Sequence, residues 1–341
     1  MATPNMKAAV LTEWGKPLEL KDVPVPVPKP NDVLVQILAT GVCHTDVHVQ
    51  DGGLKGVVPL ILGHEGVGRV VQLGSNVEHV KIGDVIGVAW LHNSCLHCQY
   101  CLTARESLCL AQLNSGFNVN GTFAQFALQD ARYAVKMPEG LDPIIAAPIS
   151  CAGVTTYKAL KVSRVRPNEW VSVVGVGGLG HLAVQYAKAM GMNVVAVTPP
   201  NDPSAQLAKE CGADLVYDGP LKEMGAFIQS KVGGVEAAVL TAVAAEAFNQ
   251  AVNSLKRGGR LVCVALPPGC LELPIIPVVI NGLEVIGSIV GGRKDFEEAV
   301  EFAAAGKVKP VITVKKLEAV NEVLDDLKNG KIRGRVVLDL R

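Results

Sequence analysis

Between positions 170 and 265 the apolar residues fall into short unbroken runs that alternate with stretches of helical spacing. Trp170-Val-Ser-Val-Val-Gly reads as a buried strand, and Leu179 to Met190 sets apolar and alanine residues at the period of a packed helix. Asn193-Val-Val-Ala-Val predicts a second strand and Ser204 to Cys211 a second helix, closed by Gly212. Val235 to Thr241 and Arg260 to Ala265 predict further strands with helix between them. Strand alternating with helix predicts a parallel, doubly wound sheet. The first 150 residues differ: short strands such as Val33-Leu-Val-Gln-Ile-Leu and Gly68-Arg-Val-Val-Gln-Leu are broken by turn residues, so this part reads as mostly β. The run Val23-Pro-Val-Pro-Val-Pro-Lys-Pro must be extended, because alternating proline excludes both a helix and a central strand. Beyond Ile289 the pattern predicts helices over Asp295 to Ala305 and Leu317 to Asn329, then a strand at Arg335-Val-Val-Leu-Asp-Leu.

Composition narrows this α/β picture. A chain of 341 residues exceeds one ordinary core, so two domains are expected. Apolar residues make up 49% and charged residues 19%, the balance of a filled core and not of disorder. Lys plus Arg equals Asp plus Glu at 32 each, so no charge excess points to nucleic acid or a membrane surface as partner. Apolar runs break well before the ~18 residues that a span requires. The opening Met1-Ala-Thr-Pro-Asn-Met lacks the basic and apolar regions of a secretory signal, and the expected compartment is the cytosol. Four of the nine cysteines lie between Cys95 and Cys109, and such clustering in a cytosolic chain indicates metal in preference to disulfides.

Three motifs carry chemistry. Gly175-Val-Gly-Gly-Leu-Gly follows a predicted strand and opens a predicted helix. Gly175 permits the tight turn, Gly177 allows a pyrophosphate to approach the backbone, and Gly180 allows close helix–strand packing. With Gly178 and Leu179 they form a loop whose free amides and helix N-terminus suit the phosphates of a dinucleotide. A purely structural glycine turn is the alternative. Cys95, Cys98, Cys101 and Cys109 form a compact four-thiolate set that suits a closed, structural Zn²⁺ site; four unrelated thiols would crowd one loop with reactive groups. The third pattern is dispersed: Cys43-His-Thr-Asp-Val-His48, Gly63-His-Glu-Gly66 and Ser150-Cys-Ala-Gly153. Taken singly, Cys151 reads as a small core residue and His64 as a satisfied loop histidine.

Jointly, these residues resemble the zinc-containing alcohol dehydrogenases of the medium-chain dehydrogenase/reductase superfamily, in particular their short microbial branch. The likeness runs along essentially the whole chain, through Gly41-Val-Cys-His-Thr-Asp, Gly63-His-Glu-Gly-Val-Gly, the four-cysteine loop, Cys151-Ala-Gly-Val-Thr-Thr-Tyr and the glycine loop. It implies a GroES-like catalytic domain of residues 1–152 and 290–341 around a Rossmann domain of residues 153–289. It implies a catalytic zinc on Cys43, His64 and Cys151, a second zinc on the four clustered cysteines, and NAD or NADP as cofactor. Glu65 would stand behind the catalytic metal, and Asp46 would orient His64. Thr45 and His48 resemble the relay that carries the alcohol proton by way of the cofactor ribose to water. His44 and Arg335 match positions at the pyrophosphate, Thr155 one beside the nicotinamide, and Thr198, Val264, Leu266, Ser288 and Val290 others along the cofactor. Zinc lowers the pKa of bound water from about 15.7 to about 7, and a comparable effect on an alcohol is worth on the order of 12 kcal/mol. Short relatives form dimers or tetramers, so the resemblance implies a homo-oligomer.

Three positions depart from the pattern. Leu54 stands where short members usually carry a tryptophan, while the second pocket tryptophan is present as Trp90. The second Rossmann strand ends Val197-Thr-Pro-Pro-Asn-Asp, with Thr198 where an acidic residue is usual. Ala265 replaces a common glycine. An enlarged pocket and use of both cofactors are therefore expected. Sister enzymes for polyols usually ligate zinc through a glutamate in place of Cys151. Zinc-free quinone reductases lack Cys43, His64 and the cysteine loop. A non-catalytic NAD(P)H sensor would carry a broken ligand set, and this one is whole.

Overall fold

The computed structural model describes residues 4–341, which divide into two compact units. One takes the chain through Val154 together with Gly291–Ala304 and Val311–Arg341; the other takes Thr155–Val290 and Ala305–Pro310.

The first unit is built on the long strand Asp32–Val42, which pairs antiparallel with Gly66–Leu73, Phe126–Asp130 and Arg335–Asp339. Its sheet of seven strands extends through Val85–Val88 and Val135–Lys136 on one side and Ile312–Lys316 on the other. Two register shifts against Gly66–Leu73 bend the long strand. A three-stranded sheet sets Asn5–Leu11 between Glu19–Pro24 and Leu60–Ile61. The proline run thus starts on an edge strand, where missing amides cost no ladder bond. Helix Val320–Lys328 buries Val320, Val323, Leu324 and Leu327, one stripe at helical spacing, against a core that includes Met6, Leu11, Val42, Val47 and Phe123.

The second unit is a parallel sheet of six strands. Leu215–Tyr217, Asn193–Val197, Trp170–Val174, Val235–Leu240, Leu255–Cys263 and Glu284–Gly287 follow one another across it. The order reverses beside Trp170–Val174, the switch point at which open α/β sheets bind ligands. Valines and alanines of the inner strands are fully buried on both faces. Helix Gly180–Ala189 leaves the end of Trp170–Val174 through the glycine loop. The strand predicted over Arg260 to Ala265 starts earlier, at Leu255, and stops at Cys263. No helix among the described residues is long and apolar enough to cross a membrane.

Candidate active site

Strand register brings the dispersed motif together. Thr40 pairs with Gly66, and Val42 pairs with Val336. Cys43 at the end of one strand, His64 and Glu65 before the next, and Arg335 opening the third therefore meet at one corner of the sheet. Cys151 arrives there from the turn between Ala147–Ser150 and helix Ala152–Ser163. The ligand atoms of Cys43, His64, Glu65 and Cys151 all lie within 4.8 Å of one another, and all four residues are buried.

Asp46 organises this corner. Its Oδ2 accepts the Cys43 amide at 2.9 Å, closing the first turn of helix His44–Gln50, and its Oδ1 accepts the Gly63 amide at 3.2 Å. The same Oδ1 lies 3.1 Å from Nδ1 of His64. With the proton held on Nδ1, the Nε2 lone pair faces the thiols, and Nε2 has no hydrogen-bond partner among the described residues. A buried nitrogen left without a partner beside two sulfurs is the donor set that zinc fits. Cys151 donates to Cys43, so Cys43 lies well below the usual thiol range and Cys151 well above it, further raised by burial. Zinc binding would displace that shared proton.

In the same corner, burial pushes the Glu65 carboxyl up to about 7 although Arg335 pulls it down. One Glu65 oxygen pairs with the guanidinium of Arg335, and Oε2 is buried without a partner among the described residues. A Cβ at position 41 would stand 1.9 Å from that oxygen, so Gly41 leaves the space the carboxylate occupies. Arg335, expected at a pyrophosphate, is 3% exposed and spends its charge on Glu65 in this structure.

Thr45 is half-buried, its Oγ1 3.7 Å from Cys43 Sγ. His48 is half-buried one turn further along the helix, and exposed His44 sets its ring 6.4 Å from that of His48. Trp90 meets the His64 ring edge-on at 5.3 Å and stacks on Phe117 at 5.6 Å. Leu54 packs partly buried on the first unit's core, its amide bonded to the His48 carbonyl. Phe117 carried no motif, and only the fold reveals it behind Trp90.

The second cluster is equally compact. Cys98 and Cys101 lie 3.5 Å apart and Cys95 and Cys101 3.8 Å, close to the ~3.8 Å sulfur–sulfur edge of a tetrahedron with 2.3 Å Zn–S bonds. Cys109 completes the set. Amides of His97 and Cys98 hold the Cys95 thiol down to about 6, favouring the ligating thiolate. Support comes from residues that spacing did not mark: Ser94 Oγ lies 3.0 Å from Cys101 Sγ and 2.5 Å from the Tyr133 hydroxyl. Arg293 then sits over the Tyr133 ring and pairs with buried Glu106 at 3.0 Å.

In the second unit Gly175 has φ +95°, and a Cβ on Gly180 would stand 1.9 Å from the Gly175 carbonyl oxygen. A Cβ on Gly177 would meet nothing within 4 Å, so the loop is open there. Helix Gly180–Ala189 starts after Leu179, with Gly178 in the turn. Thr198 follows the second strand, buried, its hydroxyl a weak 3.5 Å from the Tyr217 carbonyl. Asp202 Oδ1 accepts the Ser204 amide at 2.8 Å and so caps the next helix. Thr155 is buried, and neither its Oγ1 nor Ser288 Oγ has a hydrogen-bond partner among the described residues. The Val264 amide bonds the Leu240 carbonyl, Leu266 is exposed, and Val290 has φ +36°.

Comparison with known proteins agrees with this arrangement. Residues 29–139 match the alcohol dehydrogenase GroES-like domain, and residues 178–305 match the zinc-binding dehydrogenase domain. An alcohol dehydrogenase of Geobacillus stearothermophilus is 52% identical over 338 residues, 98% of this chain and 99% of the relative. The alcohol dehydrogenase of the hyperthermophilic archaeon Aeropyrum pernix superposes with a TM-score of 0.88 at 33% identity, covering 98% of this chain and 99% of that one. Acetophenone reductase from Geotrichum candidum, in complex with NAD, gives a TM-score of 0.88 at 30% identity over 99% and 98%. The fold and its two cysteine-rich clusters define a zinc-dependent, NAD(P)-dependent oxidoreductase. The chain belongs to the zinc-containing alcohol dehydrogenases of the medium-chain dehydrogenase/reductase superfamily.

Proposed function

We propose that this chain oxidises primary and secondary alcohols reversibly to aldehydes and ketones, that longer, branched and aromatic alcohols are among its good substrates, and that it uses both NAD and NADP. The observation that carries the reading is the unpartnered Nε2 of His64 facing Cys43 and Cys151. Cys43, His64 and Cys151 would hold a zinc with three protein donors and leave it accessible to a substrate oxygen.

Bound zinc supplies Lewis acidity that makes the alcohol a stronger acid, and bound nicotinamide supplies the hydride acceptor. The protein's own part is orientation and proton transfer. Asp46 fixes the His64 ring, and Thr45, its hydroxyl beside Cys43, accepts the alcohol proton. His48, one turn on and half-buried, hands that proton to water. Trp90 and Leu54 shape the apolar wall; a leucine in place of an indole leaves room for larger side chains.

Thr198 carries no charge to repel a 2′-phosphate, and Asp202 is engaged as a helix cap, which together support use of both cofactors. The clustered thiols suit the cytosol. Helix Ile275–Asn281 exposes Ile275, Ile276, Val279 and Ile280 beside the edge strand Glu284–Gly287, a face that a second copy in a homodimer or homotetramer would cover.

The test is a panel of primary, secondary and aromatic alcohols, each with NAD and NADP, read by absorbance of the reduced nicotinamide. Graded preferences of about 10–200-fold per pocket contact are expected, with both cofactors active. Absence of turnover on every alcohol and aldehyde, with cofactor bound, would refute it.

A further inference from the structure

The helix that opens at the glycine loop carries a buried histidine for which the reaction gives no role. His181 is fully buried in its first turn. Its backbone amide reaches the Gly177 carbonyl at 3.2 Å, as helix geometry requires. Its ring adds a second bond to that oxygen, with Nδ1 at 2.9 Å. The Gly177 carbonyl has no hydrogen to donate, so Nδ1 carries the proton. One peptide oxygen in an open glycine loop is therefore held twice by one residue.

A trans peptide is planar, with its C=O and N–H pointing in opposite directions. Drawing the Gly177 oxygen back into the helix turns the Gly178 N–H outward past the helix N-terminus, where an anion is attracted. The adjoining glycines cannot fix that plane alone, because glycine visits many backbone conformations. Gln185 anchors the following turn: its side-chain nitrogen donates to the His181 carbonyl at 3.2 Å and the Lys309 carbonyl at 3.0 Å, and its oxygen accepts the Lys309 amide at 2.7 Å.

We propose that His181 is a cofactor-positioning residue that orients the Gly177–Gly178 peptide so that its N–H is ready for the dinucleotide pyrophosphate. The inference rests on the reading of this loop as the NAD(P) site. His181 acts through the loop, and no contact of its ring with the cofactor is required.

The experiment compares wild type, His181→Leu and His181→Asn by fluorescence titration with NADH, with ADP-ribose and adenosine as competitors. ADP-ribose contains the pyrophosphate and adenosine lacks it. The asparagine amide nitrogen can stand where Nδ1 stands, and leucine supplies bulk without a donor. His181→Leu should weaken NADH and ADP-ribose about five-fold, the size of one neutral hydrogen bond, and leave adenosine unchanged. His181→Asn should restore affinity to within about two-fold of wild type. Unchanged NADH affinity in His181→Leu, or an equal loss for adenosine, overturns the proposal. Should His181→Leu not fold, His181→Gln replaces it: its longer side chain carries the amide past the Gly177 carbonyl. Gln binding NADH as tightly as Asn then overturns the proposal, and Gln binding more weakly supports it. A wild-type chain that binds neither NADH nor ADP-ribose overturns the cofactor reading and this inference with it.

Discussion

Single side chains here act mostly through the groups they hold. Asp46 places the His64 proton, His181 turns a peptide, and Ser94 touches the Cys101 sulfur. Removing the Ser94 hydroxyl takes a hydrogen bond from Cys101 and leaves the Tyr133 hydroxyl without its partner. Outer contacts of this kind are worth about 10–100-fold in metal affinity. Ser94→Ala should therefore release one zinc per chain at least about ten times faster to a colorimetric chelator, with kcat unchanged while that zinc remains. Release at the wild-type rate would show that Ser94 is packing alone. Residues of this type are the hardest to read from sequence. Ser94 and Tyr133 stand far apart in the chain, and neither lies in a recognisable pattern. The four cysteines, by contrast, lie within one short loop and announce themselves by spacing.

Among the elements, legibility followed burial. The Rossmann strands stood out as continuous apolar runs because both their faces are covered. Leu215–Tyr217 was too short to register, and Glu284–Gly287 is a half-exposed edge strand. Helix Ile275–Asn281 was obscured by Pro277 and by apolar residues that face outward in the single chain. The buried group of Cys43, His64, Glu65 and Cys151 is drawn from three separate segments, so spacing alone leaves its members isolated until register joins them. At the turn after Asn193–Val197 the sequence shows Thr198 in place of an acid, but not that the nearby Asp202 carboxylate is engaged by the Ser204 amide. Thr198→Asp should thus reduce kcat/KM with NADP at least about ten-fold through charge repulsion while NAD changes little. An equal loss with both cofactors would mean that the substitution merely disturbs the strand end.

For the whole molecule, a histidine outside both cysteine-containing clusters should set part of the acid stability. Burial holds the His92 imidazole below its usual pKa, against the opposing pull of Asp32 and Asp130. As pH falls, the unfolded chain takes this proton before the folded chain does. The contribution is therefore intact above the usual imidazole value of ~6.5 and is lost as pH drops through and below it. Melting temperature should decline between about pH 7 and pH 5, and the decline should be shallower in His92→Asn, which differs from wild type in this one titrating group. Parallel declines would clear His92 of any part. The sheet of the first unit also sets a schedule for synthesis. Val42 waits for Val336, so the stretch Ala39–Val42 of the long strand keeps one flank open while 293 intervening residues, the entire second unit among them, leave the ribosome. At ~5–20 residues per second that is roughly 15–60 s during which a bare β-edge is exposed to neighbouring nascent chains. Production yield in a crowded cell should then depend on the speed of translation and on chaperones, even though the finished protein leaves that edge covered.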